Sequence, residues 1–355
     1  MWKKHKVAVI GLLLLAVVLA AGVTSYALAQ SSGGSQTTAS GNVISRHVDY
    51  NVNLQVSGDL STVNPKLQGV LPLNLSAQGG ADVQKSDNGP QVQGNLQLNG
   101  LDGIIQKLSA RGGSGLQGSL GGTLAKSILS NLQFVAVDHD LYLNLGGAWY
   151  DTGDLTQVKR PGNRRDNGSG TAEAQGKACL QGAFPGGAKA LLTNVQQSPD
   201  TVDGVATTHY TASTDLDKAL TEAAAAATNC GKTAEAAKLT AAKGQIESAT
   251  KQLNLEWWID GGNQVRQVKV DVDVNPSALA PVLEADAPQG KAARVDAILK
   301  GITDVKLDAQ VKFSQFGQDF QIQKPSGDVQ PLKNLMGLLG HHKRGDQGAP
   351  ATMQQ

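Results

Sequence analysis

The sequence predicts an α+β protein built on one large antiparallel β-sheet. The strongest indication comes from residues 255–274, where valine and charged residues alternate strictly from Val268 to Val274. Alternation with a period of two is typical of a strand with one apolar and one polar face. The Asp-Gly-Gly-Asn sequence at 260–263 suits the positive φ angles of a tight hairpin turn. Nine or more segments read as such strands, and alanine-rich helical segments are grouped between them.

The first strands are predicted as a meander. Residues 45–60 alternate between apolar and polar side chains, and residues 66–83 continue this pattern with an interruption at Pro72, which indicates an edge or a bend. A third strand follows the turn at residues 87–90, and residues 132–137 and 141–145 form a hairpin. The later predicted strands include residues 205–212 and 305–313. The predicted helices cover residues 101–108, 178–195, 216–228, 234–253 and 292–299.

The chain begins with an export signal. Lys3, Lys4 and Lys6 precede an apolar run at residues 7–23, and Ala27-Leu28-Ala29 fits a small-x-small cleavage site. The segment at 1–29 is therefore either a signal peptide cut after Ala29 or an uncleaved N-terminal anchor in the cytoplasmic membrane. Both interpretations place the remaining chain in the cell envelope or outside the cell. Residues 30–41 read as a flexible linker, 42–326 as the folded domain and 327–355 as a mostly disordered tail.

The net charge and the cysteine content indicate which classes of partner and which covalent links to expect. The formal net charge is +1, so the sequence carries no electrostatic footprint for nucleic acid. Cys179 and Cys230 are the two cysteines, and in an exported chain we expect them to form a disulfide, with two buried free thiols as the alternative. No cysteine follows the signal segment, so the N-terminus has no site for lipid attachment. We expect a monomer.

No motif indicates catalysis, a cofactor or a metal. His139 lies between Asp138 and Asp140, but adjacent residues on a strand do not converge on one centre, so these form a polar hairpin turn. Two histidines at 341–342 belong to the tail. The basic residues at 159–165 form either a solvated loop or a contact for anionic headgroups. We therefore predict a protein that is not an enzyme, with no catalytic residue, cofactor or metal site.

The apolar face of the sheet is the candidate site. Helices built mainly of alanine can lie close to a sheet of valine and leucine, and they leave a cavity between them; an ordinary packed interface is the alternative. Trp257 and Trp258 are adjacent, so they point to opposite faces, and one of them packs in the core or lines a ligand groove. The predicted lipid-binding cavity is lined by Tyr50, Val52, Leu54, Val268, Val270, Val272, Leu307 and Val311.

Several short motifs resemble a known family. They are WYDTG at residues 149–153, DGVATTHY at 203–210 leading into DLD at 215–217, EWWID at 256–260 with VRQV at 265–268, and VKFSQF at 311–316 with KP at 324–325. In this order they resemble the LppX/LprG-type lipid carriers of the actinobacterial cell envelope, which are similar in fold to the LolA/LolB lipoprotein carriers. The resemblance covers residues 43–326.

The resemblance implies a strongly curved antiparallel sheet, a half-barrel, with helices covering its concave face. It also implies a non-enzymatic exported carrier that holds acyl chains or a lipoprotein between sheet and helices and works at a membrane surface. The lipid-modified cysteine of that family is missing here, and the segments around Cys230 and at 276–301 are longer than expected. The alternative function is a structural or sensory envelope domain with a solid core and no ligand.

Overall fold

The computed structural model describes residues 45–86, 89–100, 131–154, 191–281 and 292–332. In these ranges the chain forms three α-helices, α1 (Leu216–Asn229), α2 (Thr233–Ala249) and α3 (Ala292–Lys300), and short 3-10 helices at Pro65–Leu67 and Pro276–Leu279. The twelve strands are β1 (Arg46–Gly58), β2 (Leu73–Ser86), β3 (Gly89–Asn99), β4 (Leu132–Val137), β5 (Asp140–Leu145), β6 (Ala148–Asp154), β7 (Leu192–Val202), β8 (Val205–Thr214), β9 (Thr250–Asp260), β10 (Val265–Val274), β11 (Ile302–Ser314) and β12 (Val329–Pro331).

All twelve strands belong to one sheet, in the order β12-β6-β5-β4-β3-β2-β1-β11-β10-β9-β8-β7. Neighbouring strands are antiparallel, except that β12 runs parallel to β6. The sheet therefore consists of two runs of sequence-adjacent strands, β1–β6 and β7–β11, that meet where β1 pairs with β11. The predicted α+β class with a large antiparallel sheet is confirmed.

The register divides the sheet into two faces. Along β1 the even-numbered side chains from Val48 to Val56 are apolar, and the odd-numbered ones are polar. Val52 lies opposite Ala309 of β11 and Ala77 of β2, so the apolar sides of neighbouring strands coincide. We call this side the inner face and the opposite side the outer face.

Glycines bend the sheet at β2 and β3. A Cβ atom on Gly94 would lie 2.5 Å from the carbonyl oxygen of Gly80, and one on Gly79 would collide with the carbonyl of Asn95. Only glycine permits this close approach of neighbouring backbones. The Tyr50 side chain lies over Gly79, and its hydroxyl donates to the Asn95 carbonyl at 2.5 Å. Glycine kinks of this kind give a sheet its curvature.

Two predicted turns are confirmed. The β9–β10 hairpin turns at residues 260–263, where Asn263 has φ of 61°. Asp260 Oδ1 accepts from the backbone N–H groups of Gly262 and Gln264, both at 2.9 Å, which fixes the turn. The β4–β5 hairpin turns at Asp138 and His139, with φ of 51° and 71°.

Three predicted boundaries are wrong. The helix predicted for 178–195 conflicts with β7, because Leu192–Val202 pairs with β8 as an edge strand; residues 178–190 lie outside the described ranges. The helix predicted to reach residue 253 ends at Ala249, because pairing of β9 with β10 continues the alternation back to Thr250. The second strand begins at Leu73 and not at residue 66, because Pro72 supplies no N–H to the sheet.

A C-terminal segment crosses the outer face. After β11, residues 315–331, which we call the strap, run over β2–β5 and end as β12 beside β6. Ile322 of the strap packs with Val135, Val137 and Tyr142, which point outward from β4 and β5. The Phe320 N–H donates to the Gln84 side chain at 2.9 Å. The sheet thus continues beyond residue 326, where the predicted tail begins.

Candidate functional site on the inner face

The eight residues predicted to line a cavity lie together on the inner face. They occupy three adjacent strands, β1, β11 and β10, in three rows that cross the strands. The rows are Tyr50–Val311–Val268, Val52–Ala309–Val270 and Leu54–Leu307–Val272. Sequence alternation therefore grouped these side chains correctly; whether they bind lipid stays a prediction.

The inner face is wider than the predicted site. Toward one edge, the rows continue through Trp257 and Leu255 of β9 to Tyr210 and Ala212 of β8. Toward the other edge they continue over four strands that the sequence did not assign to the site. Those side chains include Leu75, Ala77, Leu96, Leu98, Leu132, Phe134, Leu141 and Leu143.

Exposure divides the inner face into two halves. On β10 and β11 several inner side chains are closed off from solvent: Val268 is 1% exposed, Val270 3% and Leu307 4%, whereas Val311 is half-buried. On β2–β5 the inner side chains from Leu75 to Leu143 are half-buried, apart from the buried Ala81. Contiguous apolar surface that keeps contact with water marks an interaction site in soluble proteins. The half-buried part is therefore the better candidate for a ligand surface.

Helices and small residues pack at one end of this face. Ile298 of α3 contacts a buried cluster of Leu54, Val56 and Ile302. The helix α2 packs against the 3-10 helix Pro276–Leu279 and β9. Alanines lie in this region, with Ala249 0% and Ala280 2% exposed. Alanine side chains permit close approach of neighbouring backbones; whether these helices leave a cavity over the sheet stays a prediction.

The two tryptophans point to opposite faces, as predicted. Trp257 lies on the inner face and stacks on Tyr210, with ring centroids 5.2 Å apart. Trp258 lies on the outer face, stacks on His209 at 4.2 Å, and donates its indole N–H to Asp200 Oδ2 at 2.8 Å. The outer tryptophan is thus 6% exposed and fixed by partners, whereas Trp257 extends the apolar inner face.

The outer face of β8–β11 carries a network of paired charges. His209 Nε2 lies 2.8 Å from Glu256 Oε2. Lys269 lies 3.0 Å from Asp271 and 3.5 Å from Asp308. Burial and the hydrogen bond to Asp308 raise the pKa of Asp271 above its usual range. These side chains have oppositely charged partners nearby, so the network is best explained as ion pairs between neighbouring strands on the polar face of the sheet.

Other candidate clusters are polar and open. Asp140 Oδ2 lies 3.2 Å from the Lys324 ammonium of the strap, and His139 is exposed at the hairpin turn. Within the described ranges, no group of three or more His, Cys, Asp or Glu side chains is placed to hold a metal ion. A shallow polar cavity of about 230 Å³ lies where the strap leaves the sheet; it is lined by Ser45, Gln84, Lys85, Gly317, Gln318 and Asp319.

Some predictions fall on residues outside the described ranges. These are the signal or anchor segment at 1–29, the linker at 30–41, the helix at 101–108, the basic residues at 159–165, Cys179 and the two histidines at 341–342. The disulfide between Cys179 and Cys230 therefore stays a prediction; Cys230 itself follows the C-terminus of α1, where its N–H donates to Ala226 O. Among the described helices, none combines the length and apolar content needed to cross a membrane.

Solved structures include a protein that is similar to this chain. No family model and no curated protein matches the chain. Among solved structures, the chain is similar to the crystal structure of LprF from Mycobacterium bovis, with 16% sequence identity and a TM-score of 0.33. The match covers 85% of this chain and 94% of that chain. LprF belongs to the LppX/LprG group that the sequence resembles; at this TM-score the similarity carries no weight for function.

Proposed function

We propose that this protein is an exported, non-enzymatic carrier that binds acyl chains of a lipid or lipoprotein on the inner face of its sheet. The observation that carries the proposal is the half-buried apolar surface of β2–β5, which adjoins the buried rows of β1, β11 and β10. Transfer of each ligand methylene from water to such a surface contributes about 0.8 kcal/mol. A carrier of this kind needs no catalytic group.

The compartment and partners follow from the N-terminal sequence. The apolar segment at residues 7–23 would export the domain, either by cleavage after Ala29 or as an anchor in the cytoplasmic membrane. In both cases the domain would act in the cell envelope and exchange its ligand at a membrane surface. We expect it to act as a monomer.

One observation favours a second function. Val268 and Val270 are 1% and 3% exposed, so the β10–β11 half of the inner face is packed as a solid core. A structural or sensory envelope domain would need no more than this. The two functions differ in one respect, because only the carrier takes up an amphiphile from solution.

The test uses two substitutions one residue apart on β3. Leu96 lies on the inner face between Gly79 and Leu132, whereas Gln97 lies on the outer face beside Gln78. Leu96→Asn places a polar amide in the apolar surface and is expected to weaken uptake of a fluorescent fatty-acid probe. Gln97→Asn is the matched control and should leave uptake unchanged.

Organic extraction of the purified protein followed by mass spectrometry provides an independent readout. A carrier is expected to release co-purified lipid, and Leu96→Asn should release less. If the unmodified protein neither binds the probe nor releases lipid, the carrier function is rejected and the structural or sensory function is favoured.

A further inference from the structure

An arginine lies at one end of the inner face. Arg46 occupies the start of β1, opposite Val83 of β2, and shares the face of Val48 by the alternation of the strand. Its guanidinium carbon is 5.4 Å from the centre of the Phe313 ring, which belongs to the inner cluster. The side chain is half-buried, and this burial lowers the pKa of Arg46 below its ordinary value.

Within the described ranges, Arg46 has no carboxylate partner. Its Nε atom is buried and makes no hydrogen bond with any residue that the structure describes. Arg266 provides the contrast: its guanidinium also lies over an aromatic ring, 4.6 Å from the centre of Phe316, but its Nε donates to Asp260 Oδ2 at 2.6 Å. A buried donor without an acceptor is costly, and more so when it is charged. A bound anion would satisfy Arg46.

We infer that the ligand carries an anionic oxygen group, a carboxylate or a phosphate, that binds the Arg46 guanidinium while its acyl chain lies along the inner face. The inference rests on the proposed carrier function and adds the chemistry of the ligand's polar end. The planar guanidinium presents paired N–H donors that match both anions. From Arg46 to Leu54, the strand offers about 26 Å of apolar surface at about 3.3 Å per residue, enough for an extended long chain.

The experiment compares three ligands that share the same alkyl chain: hexadecanoate, hexadecyl phosphate and hexadecanol. Each is titrated at pH 8, the two anions below their micelle-forming concentration and the alcohol below its solubility limit. The unmodified protein is expected to bind at least one anionic ligand about tenfold or more tightly than the alcohol, as for a charge-assisted hydrogen bond. Arg46→Met keeps an apolar stem against Phe313 and should abolish this preference without weakening hexadecanol. The anion that loses more affinity identifies the carboxylate or the phosphate as the natural group.

Two further variants serve as controls for charge. Lys306→Met removes one positive charge from the outer face, where Lys306 is paired with Asp273 at 3.4 Å, and should leave all three affinities unchanged. Arg46→Lys keeps the charge and should keep a preference for the anionic ligands. Equal affinity for acid, phosphate and alcohol in the unmodified protein, or an unchanged preference in Arg46→Met, would overturn the inference and leave the carrier function standing. If none of the three ligands binds, the carrier function itself fails.

Discussion

Neighbouring residues on β1 have opposite environments. Arg46 points to the inner face, where no carboxylate of the described part of the chain pairs with it, whereas His47 points outward between two carboxylates. Its Nδ1 lies 2.6 Å from Asp82 Oδ1, and its Nε2 lies 3.2 Å from Asp49 Oδ1. Burial alone would lower the pKa of His47, but hydrogen bonds to Asp82 and Asp49 outweigh it, so the pKa is raised above the ordinary value.

This raised pKa predicts a pH-dependent contribution to stability. A group that binds its proton more tightly in the folded state stabilises that state fully below its unfolded pKa of about 6.5. The contribution is lost as pH rises through the folded pKa. His47→Asn should therefore lower the melting temperature more at pH 5 than at pH 9. Asp82→Asn removes the closer partner and should give the same trend; an equal loss at both pH values in His47→Asn would contradict the assignment.

At the scale of the strands, the solvent exposure of the inner side chains distinguishes positions that the alternation of the sequence treats alike. Alternation treats Val52 and Val270 alike, and both were expected to line a cavity. In the structure Val270 is 3% exposed among valines and leucines, whereas Val52 is half-buried on β1. A large side chain at these two positions should therefore have different effects.

We predict that Val270→Trp overpacks the core and lowers the free energy of unfolding by about 1–3 kcal/mol, whereas Val52→Trp costs less. Val52→Trp should instead reduce uptake of the fatty-acid probe, because it fills surface next to β2. Thermal unfolding and probe binding measured on both variants check this. A Val270→Trp variant that is as stable as the unmodified protein and has lost the probe would show that the buried half also holds ligand.

The sequence predicts strands best where both faces have a clear character. In β1 and β10, apolar and polar residues alternate strictly from Val48 to Val56 and from Val268 to Val274, so the two faces of each strand follow from the sequence. The pairing of β1 with β11 does not follow from alternation. On β2 and β3, Ala77, Gly79 and Gly94 interrupt the apolar series, and the site residues there were missed. The small size of Gly79 and Gly94 permits the sheet to curve, and the alternation of apolar and polar residues does not predict this curvature.

The wrong boundaries predicted at β7 and at the end of α2 have a different cause. The residues of β7 are almost all exposed and carry no alternating pattern, and pairing with β8 alone makes them a strand. At Thr250, helix and strand meet without an intervening loop, and the Thr250 hydroxyl donates back to Ile246 O at 2.8 Å. The helix-forming alanines before it favour a longer helix, and the tertiary pairing of β9 with β10 ends it.

At the scale of the whole molecule, the strap covers an apolar cluster on the outer face of the sheet, in addition to the apolar packing on the inner face. Val137 and Tyr142 are 4% and 6% exposed on the outer face because Ile322 and Phe320 cover them. Truncation after Ser314 would expose this cluster and remove β12. We predict a markedly lower melting temperature for that truncation, since several large side chains lose their burial.

The matched control is truncation after Leu332, which keeps the strap and β12 and should leave the melting temperature close to that of the whole chain. Both forms are compared by thermal unfolding at equal protein concentration. Similar melting temperatures for the two truncations would show that the strap adds little to stability.

The pairing of β1 with β11 also sets the order in which the chain can fold. Val48 lies opposite Phe313, so residues 265 positions apart in the sequence are paired. A chain that is made or translocated from its N-terminus can form the strands β1–β6 early, but the edge of β1 that pairs with β11 then stays open. Contacts between such distant residues carry a large loop-closure entropy and slow the folding rate. Until β11 arrives, the open edge of β1 is a site for pairing with other chains, and the time the chain spends in that state sets its risk of aggregation.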